Sequence, residues 1–531
     1  MSIYVIAYDV GTTGVKTCLF EVSDKISLVE SAMSRYDLYV LDEGGVEQDP
    51  DQWWQAMCKT TQTVINNSGI KKEAIAGISF CAQMQALVLV DENGNPVRRA
   101  MSYMDNRAHE EMKRGIMSGI KIGGLNTYKL LRSVLISGAV SASVKDPVWK
   151  YKWVENHEPE LFMRVHKWLD VKDYLVCRAT GRFTMSEDSA FATLLCDTRM
   201  GRKVFSKELC DLFGVNMDHL PAICKSTDKV GLLRDKAAQE LGLAPGTPVF
   251  SGGGDASLIG VGAGAVEEGE AHIYMGTSGW VSVVVKDQKL DINNMIASIV
   301  GAVPGCYNYF AELETAGKCL EWVKDHLAAD EIGVFLEGKK VWEDPESIYK
   351  GMYDFMLDKI KDVPPGSNGV IFTPWLHGNR CPFEDHYARG MFFNLGLETG
   401  KRDMIHSVLE GVCYHLKWQL EAIEKKVKTK PVIRLAGGGA LAPLTCQMLS
   451  DVLGREIESI DKPQDAGAIG AAIIAAVGLN MIDSIPASKR LIKVNRKYEP
   501  RTSCTEIYNR LFPVFKSLYR NNKKAFRILN E

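Results

Sequence analysis

Short apolar runs rich in β-branched residues recur along this chain and give way to stretches whose apolar residues return every three or four positions. The first pattern has the period of a buried strand, the second that of an amphipathic helix. IYVIA (3–7), IAGISF (75–80) and ALVLVD (86–91) read as strands, with CAQMQ between the last two and a turn at ENGNP (92–96). Between 403 and 425, Ile405, Val408, Leu409, Val412, Leu416, Leu420 and Ile423 keep helical spacing. Residues 505–529 also read as helix, broken or kinked at Pro513. Strands alternating with helices predict an α/β fold. Residues 466–482 carry no charge and reach the lower length limit of a membrane span, about 17 residues. Glycine and alanine dominate them, so a buried, closely packed helix is expected instead.

A repeat organises the pattern. YVIAYDVGTTGVKTCLFEV (4–22) returns loosely as EAHIYMGTSGWVSVVVKD (270–287), so Gly11-Thr12-Thr13-Gly14 corresponds to Gly276-Thr277-Ser278-Gly279. The copies begin half a chain apart, which predicts two related domains, each opening with the same hairpin. Pro and Gly interrupt the pattern at LAPGTPVF (243–250). One domain is expected over 1–247 and the other over 248–531, and a chain of 531 residues is long enough for both.

Charge narrows the function classes. A formal net charge of -3 offers neither the basic excess of a nucleic-acid binder nor a basic tail for a membrane surface. The 13 cysteines are scattered, odd in number and without a Cys-x-x-Cys pair, which reads as reduced thiols rather than a disulfide framework or a zinc site. The N-terminal residues lack the layout of a signal peptide, and the expected location is the cytoplasm.

A Gly-Thr-Thr-Gly turn between strands presents backbone N–H groups and hydroxyls to an anion. Two such turns across a cleft could hold a polyphosphate from both sides. Asp9 precedes the first turn. An ionised acid repels phosphate, so its sensible role beside such a cradle is to hold Mg²⁺. Lys16 is close enough in sequence to reach phosphate oxygens. A single turn of this kind is more often an ordinary hairpin; two copies, one led by an acid, favour the phosphate reading. Neither Gly-x-x-x-x-Gly-Lys-(Ser/Thr) nor Gly-x-Gly-x-x-Gly occurs. FSGGGDASLIGVGAGAV (250–266) sets Asp255 after three glycines, where it can take a proton from a substrate hydroxyl or cap the following helix. LAGGGALAPLTCQMLSDVLG (435–454) ends a strand in Gly437, Gly438 and Gly439 before a helix. Bare glycines there can accept an adenine or a phosphate, or serve close helix–strand packing.

With these elements in this order the chain resembles the FGGY family of carbohydrate kinases, actin-like ATPases with duplicated domains. VEQDPDQWW (46–54), PVWKYKWVENHEP (147–159), KDYLVCRATG (172–181), EDSAFATLLCDTR (187–199), AGKCLEW (316–322), GNRCPFEDHYARGMF (378–392) and DMIHSVLEGV (403–412) also look like family stretches, so the resemblance covers nearly the whole chain. It implies two ribonuclease H-like domains around a central cleft. Gly11, Thr12, Thr13, Gly276, Thr277 and Ser278 match residues that bind ATP phosphates. Gly437, Gly438 and Gly439 match the adenosine site, with Gly317 lining the cleft. Asp9 matches the Mg²⁺-associated acid and Asp255 the catalytic base, the two together forming the implied metal site. The sugar loop matches CAQMQA (81–86) and YMDNR (103–107), with Gln83, Met84, Gln85, Tyr103 and Asp105 as its contacts.

Within the family the chain looks most like the xylulokinases, whose sugar loop reads Gln-Met-His-Gly where this chain has Gln83-Met84-Gln85-Ala86. Ala256 stands where Asn or Gln usually follows the acid, Tyr103 or Met104 where Trp is usual, and Asn394 replaces a signature Gly. The implied reaction is ATP-dependent phosphorylation of a ketopentose such as D-xylulose, giving xylulose 5-phosphate. Asp255 would accept the proton while Mg²⁺, Lys16 and the hairpin N–H groups neutralise phosphate charge. Gln85 and Asp105 would hydrogen-bond sugar hydroxyls, and Tyr103 would cover a carbon face. Two alternatives stay open: another ketose, sugar acid or polyol of the glycerol or erythritol type, or an actin-like ATPase that switches shape without sugar chemistry. The resemblance is also compatible with a homodimer.

Overall fold

The computed structural model describes residues 2–199, 203–328 and 352–531. Among them the strands gather into two large sheets. In the first, β1 (Ile3–Val10), β2 (Gly14–Val22) and β3 (Ile26–Arg35) form an antiparallel ribbon. β4 (Ile75–Ala82) lies parallel to β1 on its other side. β5 (Lys229–Leu232) and β6 (Pro248–Phe250) complete the order β5-β6-β4-β1-β2-β3, and β7 (Gly253–Gly254) runs parallel beside the end of β4. The second sheet holds β8 (Ala271–Met275), β9 (Gly279–Val285), β10 (Leu290–Asp291), β11 (Ile296–Val300), β12 (Tyr307–Leu313), β13 (Val432–Ala436), β14 (Glu456–Ile460) and β15 (Val494–Tyr498). Their order is β10-β11-β12-β9-β8-β13-β14-β15. The run β3-β2-β1-β4 and the run β12-β9-β8-β13 have the same senses, two antiparallel pairs followed by a parallel one. The repeat in the sequence is therefore a repeat in topology.

The division expected between residues 247 and 248 falls inside the first sheet, because β6 and β7 both pair with β4. Hydrogen bonding carries the chain past the Pro- and Gly-rich stretch before it crosses to the second sheet.

Seven helices frame the site: α1 (Pro147–His157), α2 (Val171–Thr180), α3 (Asp255–Ala263), α4 (Gly317–Val323), α5 (Lys401–Glu424), α6 (Ala466–Gly478) and α7 (Thr502–Asn530). α3 and α6 lie between the two sheets, in a core shared with Val5, Ala7, Cys18 and Phe20 of the first and Ala436 and Ile460 of the second. Their backbones nearly touch: a Cβ on Gly262 would lie 1.8 Å from the Ala466 carbonyl oxygen, and one on Gly470 2.3 Å from that of Leu258. The uncharged Gly/Ala stretch is thus a packing helix, and among the described residues no helix is long and apolar enough to cross a membrane. All seven periodic residues of α5 are buried. α7 runs through Pro513 as one continuous helix instead of ending there.

Candidate active site

Strand register brings the two candidate acids to one end of the first sheet. Asp9 on β1 and Gly253 on β7 both pair with Cys81 of β4, and Val10 and Gly254 both pair with Ala82. Asp255 follows at the start of α3. The acids thus flank β4 at the carboxyl ends of parallel strands, where open α/β sheets collect ligands. The glycines before Asp255 are required by space. Gly252 has φ +72, and its Cβ would sit 2.1 Å from the Phe80 carbonyl oxygen. A Cβ on Gly254 would sit 2.1 Å from Met84 Sδ. Asp188 Oδ2 accepts the Gly254 N–H at 2.7 Å and holds the loop in place.

The Ala256 N–H donates to Asp255 Oδ1 at 2.7 Å. Burial pushes the Asp255 carboxyl up to about 7, against that N–H, and the charges of Asp9, Glu312 and Asp170 add to the rise. Burial likewise pushes Asp9 up to about 6, with Lys16 opposing and Asp465 adding. A carboxylate poised near neutral pH suits general-base work. The pair also supplies hard oxygen donors whose negative charge Lys16 only partly offsets, the donor chemistry that Mg²⁺ takes. Among the described residues no cluster of three or more His, Cys, Asp or Glu surrounds a metal position, so the remaining ligands would be water and phosphate oxygens.

The first hairpin turns its carbonyls inward. Gly11 N–H donates to the Gly14 carbonyl at 2.9 Å, Tyr36 OH donates to the carbonyls of Gly11 and Gly14, and Gln48 Nε2 donates to that of Thr12 at 2.7 Å. The opposite side is open: a Cβ on Gly11 would meet only the Gly14 oxygen, at 3.6 Å. Thr13 is exposed. Lys16, opposite Asp9 in the ribbon, is not a free arm. Its Nζ binds Asp465 Oδ1 at 2.6 Å; Lys16 is 27% exposed and Asp465 3%. Burial pulls the Lys16 ammonium down, but this pair outweighs it and leaves the group raised.

The second hairpin is locked to the other glycine elements. Gly276 N–H donates to the Ser278 carbonyl at 2.9 Å, and Gly317 N–H to the Gly276 carbonyl at 2.8 Å. A Cβ on Gly317 would sit 2.5 Å from that same oxygen. Gly437, at φ +91, would place a Cβ 2.6 Å from the Met275 carbonyl oxygen, and a Cβ on Gly439 would lie 2.7 Å from Met275 Cβ. A Cβ on Gly438 would meet nothing within 4 Å among the described residues, so this glycine borders open space. Thr277 is exposed and Ser278 half-buried, with hydroxyls that have no partner among the described residues. Gly437 N–H binds the Pro463 carbonyl at 2.8 Å, next to Asp465, and a Cβ on Gly467 would lie 2.8 Å from Asp9 Oδ2. The two hairpins therefore border one continuous surface.

On the sugar side, Thr12 Oγ1 and Tyr103 OH lie 3.3 Å apart. Burial raises the Tyr103 phenol, with the charges of Glu312, Asp255 and Glu314 adding to it. Gln83 Nε2 donates to Gln48 Oε1 at 2.9 Å, while Gln83 Oε1 is buried with no donor among the described residues. Met84 packs on Gly254. Gln85 takes a left-handed backbone, φ +63. Asp105 is placed differently from expectation. It is fully buried, and its oxygens are taken by the Val46 N–H at 2.9 Å and by Arg107 Nη2 at 2.7 Å. An acid satisfied in this way holds the segment together and has no lone pair facing a sugar.

Three features escaped the sequence reading. Tyr274 stands two residues before Gly276, as Asp9 stands two before Gly11. It stacks on Trp280 with centroids 4.1 Å apart, and burial together with the Asp9 and Asp255 charges raises its phenol. Aligning the repeat residue by residue would have singled it out. Arg380 Nη1 binds Glu312 Oε2 at 2.8 Å, and Lys145 Nζ lies 3.7 Å from Glu314 Oε1. No local signal marks these pairs.

The model of the FGGY family of carbohydrate kinases, N-terminal domain, matches residues 4–262, and that of the C-terminal domain matches 271–479. The chain belongs to the FGGY family of carbohydrate kinases. It is 29% identical to a xylulose kinase of Lactococcus lactis, covering 99% of each chain, and 28% identical to one of Staphylococcus epidermidis, covering 98% of this chain and 97% of that one. It is also 27% identical to a gluconokinase of Bacillus subtilis, over 98% of this chain and 96% of that one. Among solved structures, a ligand-bound xylulose kinase from Lactobacillus acidophilus superposes with a TM-score of 0.84 at 22% identity, covering 99% of both chains. Plasmodium falciparum glycerol kinase with ADP superposes at 0.76 and 17% identity, covering 97% and 98%. These likenesses show the duplicated, actin-like fold. As an FGGY kinase, the protein is an enzyme that phosphorylates a sugar with ATP as co-substrate. The two family models meet between α3 and β8, after the last strand of the first sheet.

Proposed function

We propose that this FGGY kinase transfers the γ-phosphoryl group of ATP to the terminal hydroxyl of a neutral ketopentose, with D-xylulose the first candidate and xylulose 5-phosphate its product. The observation that carries the reading is Asp255. It is a half-buried carboxylate raised to about 7, beside Asp9 and within the electrostatic reach of Tyr103. Ionised Asp255 accepts the hydroxyl proton as the sugar oxygen bonds to the γ-phosphorus and the bond from that phosphorus to the bridging oxygen of ADP breaks. The N–H groups of Thr12, Thr13, Thr277 and Ser278 hold the phosphates, those of Gly11 and Gly276 being used inside their own turns, and the glycines at 437–439 and 317 receive the adenosine. Gln83 Oε1, buried without a donor among the described residues, accepts from a sugar hydroxyl. Asp9 and Asp255 would hold Mg²⁺, which when bound supplies positive charge to the phosphates. Release of Lys16 from Asp465 would let it reach the same oxygens.

Charge supports a neutral substrate over a sugar acid. The charges weighing on Asp255 and Tyr103 come from acids: Asp9, Asp170, Glu312 and Glu314. Arg380 and Lys145, which lie nearby, are already paired with Glu312 and Glu314. A sugar carboxylate would meet like charge there and pay for its desolvation without a partner.

The test is ADP release with Mg-ATP against ketoses, polyols and gluconate. Strong stimulation by D-xylulose and little by gluconate is expected. Stimulation by gluconate above every ketose would overturn the neutral substrate, and stimulation by no sugar would overturn the substrate class altogether.

A further inference from the structure

We infer that Lys150 and Asp170 are positioning residues for sugar recognition: they clamp the backbone of Gln85 from opposite sides in its left-handed conformation and so set how the loop at residues 83–86 meets the substrate. The inference rests on the reading that this loop contacts the sugar. Gln85 is the point of strain in it. A side chain with a Cβ rarely adopts φ +63, and glycine or asparagine is the usual choice there. Such a conformation persists when its surroundings over-determine it.

Here they do. Gln85 N–H donates to Asp170 Oδ2 at 2.9 Å, and the next N–H, of Ala86, to Asp170 Oδ1 at 3.1 Å. Lys150 Nζ donates to the Gln85 carbonyl at 2.8 Å. Every backbone polar group of Gln85 is thus bound to a buried ionisable side chain. Both clamp residues are rigidly mounted. Asp170 caps α2, where its Oδ1 also accepts the Val171 N–H at 2.8 Å. Lys150 is fully buried on α1 between Trp149 and Tyr151, themselves buried. Burial pulls the Lys150 ammonium down to about 7 against the charges of Asp105, Asp146 and Asp170, and the Gln85 carbonyl is the one hydrogen-bond acceptor it meets among the described residues.

The consequence is geometric. β4 ends at Ala82, and Gln83 N–H still follows it by donating to the Val10 carbonyl at 2.9 Å. The left-handed Gln85 turns the chain between β4 and the strand Val88–Val90, and Met84 before it packs on Gly254, next to Asp255. The half-buried Gln85 side-chain amide has no partner among the described residues and is open to a sugar hydroxyl.

The experiment is steady-state kinetics of the full-length enzyme with the best sugar from the panel, reading the KM for sugar, the KM for ATP and kcat separately. Lys150→Met keeps the apolar stem and removes the hydrogen bond. The sugar KM is expected to rise about tenfold or more, with the ATP KM within twofold. Measured in a Gln85→Asn background, whose backbone enters the left-handed region more readily, the effect of Lys150→Met on sugar KM is expected to be at least about threefold smaller than in the parent, a rescue from which the altered Gln85 side-chain contact cancels. Loss of packing alone would not be rescued in this way. Should Lys150→Met fail to fold, Asp170→Asn still caps α2 while losing one backbone acceptor, and a rise of about threefold or more in sugar KM is expected. A sugar KM within twofold of the parent in the folded variants, or a parallel rise in both KM values without rescue, overturns the clamp. A parent that no sugar stimulates overturns both the clamp and the reading beneath it, and so the two failures are told apart.

Discussion

Replacing Asp255 with asparagine separates what the carboxylate does for catalysis from what it costs the fold. Its carboxyl stands at about 7 in the folded protein, against an ordinary value of 3.8. The folded state therefore holds the proton more tightly than the unfolded chain. The stability this provides is full below about pH 4 and is lost as pH rises through about 7. A rise of this size converts to about 4 kcal/mol against the fold at pH 8, and solvent reaching the half-buried group reduces this to about 2 kcal/mol. At pH 5, where folded Asp255 is still protonated, under half of that cost remains. Asparagine keeps the acceptor for the Ala256 N–H and carries no charge. In denaturant titrations Asp255→Asn is expected to be more stable than the parent by about 2 kcal/mol at pH 8, with the gap shrinking by more than half at pH 5. Sugar phosphorylation should fall by about 10² to 10⁴, with ATP binding retained. A variant with the same stability difference at both pH values, or one turning over sugar within about tenfold of the parent, would refute the reasoning.

The same carboxylate sets the pH profile: kcat/KM for sugar should fall about tenfold per unit on the acid side, with that limb at or below about pH 7 because bound Mg²⁺ favours the ionised form. Gly276→Ala places a Cβ 2.2 Å from Tyr274 OH and should raise the ATP KM about tenfold or more. Gly11→Ala meets only a 3.6 Å contact, so it should melt like the parent, and any loss of ATP affinity in it reports how closely the nucleotide approaches. Asp465→Asn weakens the pair with Lys16 that links the two halves of the site, and should lower stability by about 1.5–3 kcal/mol in a denaturant titration.

Much of the fold was legible because its signals are local. Two strands joined by Gly-Thr-(Thr/Ser)-Gly are written in neighbouring residues, and the hairpins β1–β2 and β8–β9 form where the repeat puts them. The helical spacing of α5 likewise places Val408, Val412 and Leu416 in the core. Even the missing signature glycine has a local explanation, since Asn394 takes φ +68, a conformation that asparagine tolerates better than other side chains. The polar face of α5 was not legible: Glu410, His415 and Gln419 are as buried as its apolar face, because partners from distant segments cover it.

By itself the sequence determined the two hairpins, the helices at 401–424 and 466–478, the duplication and the positions of the acids and glycines, because backbone preference and hydrophobic period act over a few residues. The tertiary structure alone decided which way those side chains face. Asp105 turns to Arg107 instead of the cleft, Lys16 finds an acid 449 residues away, and Lys150 and Asp170 meet the same residue from two helices. The physical reason is that α3 and α6, packed backbone to backbone between the sheets, fix which ends of the two halves meet, and no local pattern encodes that choice.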